Sequence, residues 1–573
     1  MGAKLGGLAL LHEILSGLVM TRTMIRWRRV LFRTLLLALG ALVASAPVDA
    51  QRFLPDDPLS VDHDTIDTPE PPGEIELAGG WDMMQNTFGF GRPSPQPSDR
   101  AANVNSIDEV PDSSWFTNRI GVREMTLEEL ARGPNQTGGP DLSSPWVVIR
   151  GKSSGITPGF TIRDARGDTY FIKFDPADFP SLPSAADVIG TKFFHALGYN
   201  VPENYIARFA PHQLALSPNA TISGDGRRNS PMTPVDLDAI LAAARPRHDG
   251  RYRVVASLAV SGQPIGPHKY FGTRPDDPND IFPHEDRREH RGYRLFCAWL
   301  NHDDSRAINS LDVYVEEDGR HFVRHYLIDF ASLMGSGSVG PQGLRAGNEY
   351  LLEWRPLLKA AFSLGFWDRA WRNVEYPDYP EVGRFESAFF EPQLWRPEHP
   401  ILPFQKMRND DALWAARLIS RFSDEAIAAI VATGEYEDTT AEQYVVETLI
   451  ARRDKITNHY VRLLNPLHGF RALRPAGAGM LVFENLGEEL GLSRVRHYSY
   501  EWSAFDNETE QLTPIGAPQE TAVRAIEIPA SGADFLRVRL RTSAGEASWT
   551  KAVDVYLRNP HDGPSVVGIE REN

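Results

Sequence analysis

At 573 residues, with 42% hydrophobic and 24% charged residues, the chain carries enough apolar material for two or three domains with separate cores. A net charge of −16 argues against nucleic acid or an anionic membrane as a general partner. The single cysteine, Cys297, excludes an intramolecular disulfide and a cysteine-based zinc site; within the apolar run 293–300 it reads as a small buried hydrophobe.

The chain opens on the layout of a secretory signal. Arg26, Arg28, Arg29 and Arg33 precede the apolar run 35–44, and Val48-Asp49-Ala50 offers a small-residue cleavage site before Gln51. This predicts a signal peptide over 1–50, with Met1, Met20 or Met24 as start, and export to the periplasm or cell exterior. No later segment is apolar enough to span a bilayer, so no integral membrane span is expected after signal removal. Residues 51–140 are rich in Pro, Asp, Asn and Gly and predict an extended arm, with one short helix over 125–132. Trp81, Trp115 and Phe116 are its candidate anchors.

Residues 145–150 read as a strand, followed by Gly151-Lys152-Ser153-Ser154-Gly155. Trp146 stands where a Walker motif needs its first glycine. A phosphate-covering turn fits better, with Gly151 and Gly155 letting backbone N–H groups approach a ligand; a plain hairpin loop also accounts for these residues. Residues 160–162 and 169–174 read as strands flanking the polar turn 164–168, which sets Lys173 on the second strand of a hairpin. Apolar residues at 186, 189, 193, 194 and 197 fit one helical face ending at Gly198. Asp187 falls in the first turn of that helix, within reach of Lys173. Ser184 and Asp187 also match a capping box. Residues 252–260 predict a further strand.

From about residue 285 the pattern turns helical. The basic run 284–294 has interleaved acids and reads as a solvated helix or an ion-pair network. The apolar run 293–300 leads into Asn301-His302-Asp303-Asp304-Ser305-Arg306-Ala307-Ile308-Asn309, and Tyr326-Leu327-Ile328 ends on Asp329-Phe330-Ala331. Residues 366–404 predict a long aromatic, Pro-rich loop. Helices follow at 414–422, from Ser423 to Gly434, and from a Thr440–Gln443 capping box to about Leu464. Short alternating strands over 475–573 predict a small β-sandwich, a module that generally binds or spaces.

Phosphoryl transfer needs a carboxylate beside the acceptor hydroxyl, an amide and a carboxylate to hold a cation, and a lysine on the phosphates. Asp304, Asn309, Asp329 and Lys173 supply these groups, with Asp187 to hold the lysine. Asp303 competes for the base role but lacks an Asn five residues on. Taken singly, each has a blander reading, since 301–304 also suits a cap and turn after a helix. The ordered series resembles the atypical kinase superfamily, in particular the HipA-type, CotH-type and secretory-pathway kinases, over about 145–465. Leu197-Gly198-Tyr199-Asn200-Val201-Pro202 matches their phrase after the acidic helix.

The resemblance implies an α+β, two-lobed protein-kinase-like fold, with an N-lobe over 141–265, a C-lobe over 266–470 and the added β-sandwich. It implies an exported phosphotransferase using ATP and Mg²⁺ or Mn²⁺ on a protein, glycan or small-molecule acceptor. Asp187 replaces the usual Glu, Arg306 stands where such loops often carry His, and Ala331 replaces Gly. These departures keep open a catalytically inactive, kinase-like binding module of the cell envelope. A metal-dependent hydrolase built on His284, Glu285, His302 and Asp303 is a third reading, without the regular histidine spacing of such sites.

Overall fold

The computed structural model describes residues 51–95, 99–152, 159–224, 227–353, 358–359, 362–363, 369–474, 479–559 and 563–572. The expected signal segment 1–50 and Gly155 fall outside them. The chain divides into two compact units. One holds the described residues 51–54 and Phe505–Leu512, where Phe53 meets Phe505 edge-on at 5.9 Å and Arg52 pairs with Glu510 at 2.9 Å. The other unit, Pro55–Ala504 with Thr513–Asn573, holds all that follows. Its architecture is α+β.

The arm carries helices α1 (Gly79–Phe88) and α2 (Leu127–Arg132). A seven-stranded sheet follows, from β1 (Trp146–Lys152), β2 (Gly159–Arg163), β3 (Thr169–Phe174), β4 (Asn204–Phe209), β5 (Leu214–Gly224), β6 (Arg227–Pro231) and β7 (Tyr252–Leu258), in the order β4-β7-β3-β2-β1-β5-β6. Strand alternation decides its faces. Trp146, Val148, Phe160, Ile162, Tyr170, Ile172 and Phe174 join one core, while Phe171 is half-exposed on the other face. Helix α3 (Leu182–Leu197) crosses between β3 and β4, and His195 is its one residue that is not buried. The 3.6-residue period marked one apolar face. The helix is enclosed because the arm covers it with Phe116, Ile120 and Leu130, in the same core as Ile189, Phe193 and Leu197.

Helix α4 (Pro234–Ala243) and strand β8 (Gln263–Pro264) precede α5 (Arg288–Leu300). The hairpin β9 (Ser310–Glu317) and β10 (Arg320–Leu327) follows α5, and β8 pairs with β9. Helices α6 (Leu402–Lys406), α7 (Asn409–Ser420), α8 (Asp424–Ala432) and α9 (Thr439–Tyr460) complete the helical part. Trp299 on α5 packs against Phe193 and Phe422 at 4.9 and 5.2 Å between ring centres. The basic run is the ion-pair network, not the solvated helix. Arg287, Arg288 and Arg291 are fully buried; Arg288 meets Asp108 at 2.8 Å and Asp411 at 3.1 Å, and Arg291 meets Asp286 at 2.5 Å.

The β-rich C-terminal part begins with β11 (Leu467–Leu473), slightly before the expected boundary at 470–475. It pairs with β12 (Met480–Asn485), which leads into α10 (Leu486–Glu489), and the sheet runs β11-β12-β15. A second sheet has the order β14-β13-β16-β17-β18, from β13 (His497–Phe505), β14 (Leu512–Thr521), β16 (Phe535–Ser543), β17 (Val553–Arg558) and β18 (Ser565–Arg571); β15 is Ala525–Glu527. Leu467, Phe483 and Ile526 from the first sheet share a core with Trp502, Val538 and Val555 from the second. No helix among the described residues is long and apolar enough to cross a membrane.

Candidate functional site

Alternation along β3 sends Tyr170, Ile172 and Phe174 into the core and leaves Lys173 on the opposite face. Its Nζ lies 3.3 Å from Asp187 Oδ2 and 2.9 Å from Asp329 Oδ1. Asp187 is buried, and its Oδ1 accepts hydrogen bonds from Asn204 Nδ2 at 3.0 Å and the Phe330 N–H at 3.1 Å. Burial pushes the Asp187 carboxyl up, and Lys173 opposes it. Burial pulls the lysine down, but Asp187 and then Asp329 outweigh it and raise its pKa, so it stays an ammonium. Lys173 also holds Asp329 below the usual carboxylate range.

The expected capping box is absent. Ser181 is the N-cap of α3, Asp187 lies in the second turn, and Ser184 Oγ donates to Asp175 at 2.8 Å. Asp329 has φ +60°, a left-handed turn that separates β10 from the buried Phe330. Phe330 stacks on Phe194 at 4.9 Å. A Cβ on Gly190 would stand 2.7 Å from Phe330 Cβ, so α3 needs a glycine there to let Phe330 seat.

Helix α5 stops at Asn301, which is left-handed at φ +52°. Asn309 ties the following loop together: its Nδ2 donates to the Asp304 carbonyl at 2.7 Å, and its own carbonyl accepts the Ile328 N–H at 2.9 Å. That second bond joins the loop to the residue preceding Asp329. The Asp304 carboxylate is ion-paired with Arg306, which also lies 3.5 Å from Glu398. Asp303 accepts from Gln342 Nε2 at 2.8 Å and Ser332 Oγ at 3.3 Å; burial, then Asp304 and Glu398, push its carboxyl up to about 7. His302 is fully buried with Nδ1 3.2 Å from the Ser332 carbonyl, and burial lowers its pKa.

Lys173, Asp187 and Asp329 therefore meet directly, and Asn309 links Asp304 to the Asp329 segment. Gly151 does not join them. It is buried on the core face of β1, where an added Cβ would stand 2.9 Å from Met232 Sδ. Its neighbour Lys152 is the residue that sequence reasoning passed over. Lys152 is exposed and lies in the electrostatic reach of both Lys173 and Asp329. The hydrolase constellation does not assemble as a metal-holding group, since His284 pairs with Asp280 at 2.7 Å while His302 faces Ser332.

Among the described residues, two other groups could hold a divalent cation: His268, Asp312 and His325, and His468, Glu484 and Glu489. In the first, both histidine Nδ1 atoms lie within 2.8 Å of Asp312 Oδ1, and Arg274 meets the other oxygen at 3.1 Å. Despite burial, His325 and His268 hold Asp312 well below the usual carboxylate range. Arg274 already supplies a positive charge to this carboxylate, while the buried His268 Nε2 has no hydrogen-bond partner among the described residues.

No protein-family model and no curated protein matches the chain. Among solved structures, the chain is similar to the Helicobacter pylori proinflammatory kinase CtkA, at 11% identity and a TM-score of 0.28, over 54% of this chain and 94% of that one.

Proposed function

We propose that the chain is an exported, kinase-like phosphotransferase using ATP and a divalent cation. In this reading, residues 141–265 and 266–470 act as the two lobes of a kinase-like fold, and the β-sandwich over 475–573 is an added module. The observation that carries it is Lys173, which meets Asp187 at 3.3 Å and Asp329 at 2.9 Å across a strand, a helix and a turn.

Charge accounts for the working parts. Lys173 would contact the nucleotide phosphates while buried Asp187 holds its stem. Asp329, about half exposed, would repel a polyphosphate unless a cation stood between them. Asn309 and Asp329 offer the oxygen donors that Mg²⁺ or Mn²⁺ takes; the Asn309 amide nitrogen is used on Asp304, which leaves its amide oxygen for a cation. A cation held there would neutralise charge on the phosphates. Asp304 would take the proton of the acceptor hydroxyl as that oxygen attacks the terminal phosphoryl group and the nucleoside diphosphate leaves. The acceptor is a protein, a glycan or a small molecule.

One observation favours the inactive, kinase-like binding module instead: Arg306 pairs with the Asp304 carboxylate. Phosphate transfer by the purified chain separates the two. On the enzyme reading, Asp304→Asn stops transfer and spares nucleotide binding. On the module reading, the wild type binds nucleotide without transfer, and Arg306→His or Arg306→Ala frees the carboxylate.

A further inference from the structure

Lys152 ends β1, and the register places it opposite Gly159, which in turn lies opposite Lys173. Directly opposed residues of antiparallel strands project from the same face. The two lysines therefore flank a glycine in one cross-strand row, about 10 Å apart at their Cα atoms by two strand spacings. No side chain fits between them, because a Cβ on Gly159 would stand 2.3 Å from the Ile172 carbonyl oxygen. Both lysines act on Asp329, one by direct contact and the other through space. Lys173 is matched by two carboxylates, whereas Lys152 forms no ion pair among the described residues and is close enough to Lys173 to feel its charge.

A lysine at a strand end is ordinarily just solvated. Two unlike facts set this one apart: its row with Lys173, and its shared action on the carboxylate proposed to hold a cation. We propose that Lys152 and Lys173 form one subsite for two adjacent phosphoryl groups, so that the ligand is a nucleoside di- or triphosphate and not a monophosphate. The nucleotide part of this rests on the phosphotransferase reading. Lys173, offset by Asp187 and Asp329, has little net charge to offer a polyphosphate; Lys152 supplies it as a mobile point charge.

The test is calorimetric binding of AMP, ADP and ATP with Mg²⁺, and of inorganic tripolyphosphate, to the wild-type chain, Lys152→Met and Lys152→Arg. Lys152→Met should weaken ATP and tripolyphosphate by about tenfold or more, the worth of one charge-assisted contact, and leave AMP unchanged. Lys152→Arg should restore most of the loss, and the thermal midpoint of Lys152→Met should match the wild type. Wild-type ATP binding that Lys152→Met leaves intact overturns the subsite and keeps the phosphotransferase reading. Lys152-dependent tripolyphosphate binding without nucleotide binding keeps the subsite and removes that reading. Binding of neither removes both.

Discussion

Asp187 and Asp329 both touch Lys173, yet they differ in what their loss should do. Asp187 is buried and also satisfies Asn204 and the Phe330 N–H. Asp187→Ala should lower stability by roughly 2–4 kcal/mol, because it removes one of the two carboxylates on the lysine and leaves two buried donors unpaired. Asp329 is about half exposed, so Asp329→Ala should change stability by less than about 1 kcal/mol. Denaturant unfolding of the two variants checks this contrast; equal losses would mean that Asp329 also carries the fold.

Asp303 makes a second prediction at this scale. Its carboxyl is raised to about 7 by burial, then by Asp304 and Glu398. Between the ordinary carboxylate value and 7 the folded chain holds a proton that the unfolded chain has released. Its contribution to stability is therefore full at low pH and lost as pH rises through 7. Asp303→Asn removes this one contribution, so the thermal midpoint of the variant relative to the wild type should climb between pH 5 and 8; a difference that stays constant with pH would count against a raised carboxyl at this position.

Gly151 and Lys152 show how one residue of phase decides a site. Trp146 and Val148 point inward, and continued alternation would bury residue 152. A β-bulge between Val148 and Arg150 inverts the phase, so Gly151 is buried and Lys152 faces out. Nothing local in the sequence announces that bulge. Lys173 was legible because its strand alternates without interruption. Asp187 was legible as a partner, but its cap was not: the start of α3 is set by Pro183 near its N-terminus and by Ser181 in a left-handed conformation, signals that also read as a Pro-rich link.

Among the elements, β10, α5 and the arm enclose four histidines around one indole. Trp115 stacks on His325 at 3.4 Å and meets His268, His284 and His290 at 4.7–4.9 Å between ring centres. Burial lowers His325 to about 4 and His290 well below its ordinary value; elsewhere it lowers His399 to about 4 and His195 to about 3. Groups held neutral by the fold give full stability above pH 6.5, which is lost as the pH falls from 6.5 toward 4 and the unfolded chain takes up protons. The thermal midpoint should decline steeply over that window. A flat profile would contradict the buried, neutral histidines.

The same elements explain what the helical patterns could not say. The Thr440–Gln443 pair reads as a capping box, but Asp438 caps α9 and Gln443 bonds Glu447 at 3.0 Å. Both residues have the right type and spacing. The preceding Asp, which accepts from the Thr440 N–H at 2.8 Å, wins because it sits two residues earlier, directly before the first helical residue.

Across the whole molecule, the arm is bound into the helical part by charge as well as by apolar contact. Arg288 is fully buried between Asp108 of the arm and Asp410 and Asp411 of α7. Arg288→Ala removes the buried cation these carboxylates share, leaving Asp108 to Arg100, Asp410 to Arg408 and Asp411 to Arg291, and should lower stability by up to about 3–5 kcal/mol. It should also expose residues 51–140 to limited proteolysis before the rest of the chain. The basic run's composition allowed a network, but its burial depends on acids some 120 and 180 residues away, which periodicity cannot see.

The charge logic at Asp329 is tested by ATP binding to the purified chain with and without Mg²⁺ or Mn²⁺, in wild type and Asp329→Ala. It predicts that the wild type binds ATP far more tightly with the cation, and that Asp329→Ala loses this dependence while keeping its thermal midpoint. A wild type that binds no nucleotide with either cation, or a fully cation-dependent Asp329→Ala, would contradict it.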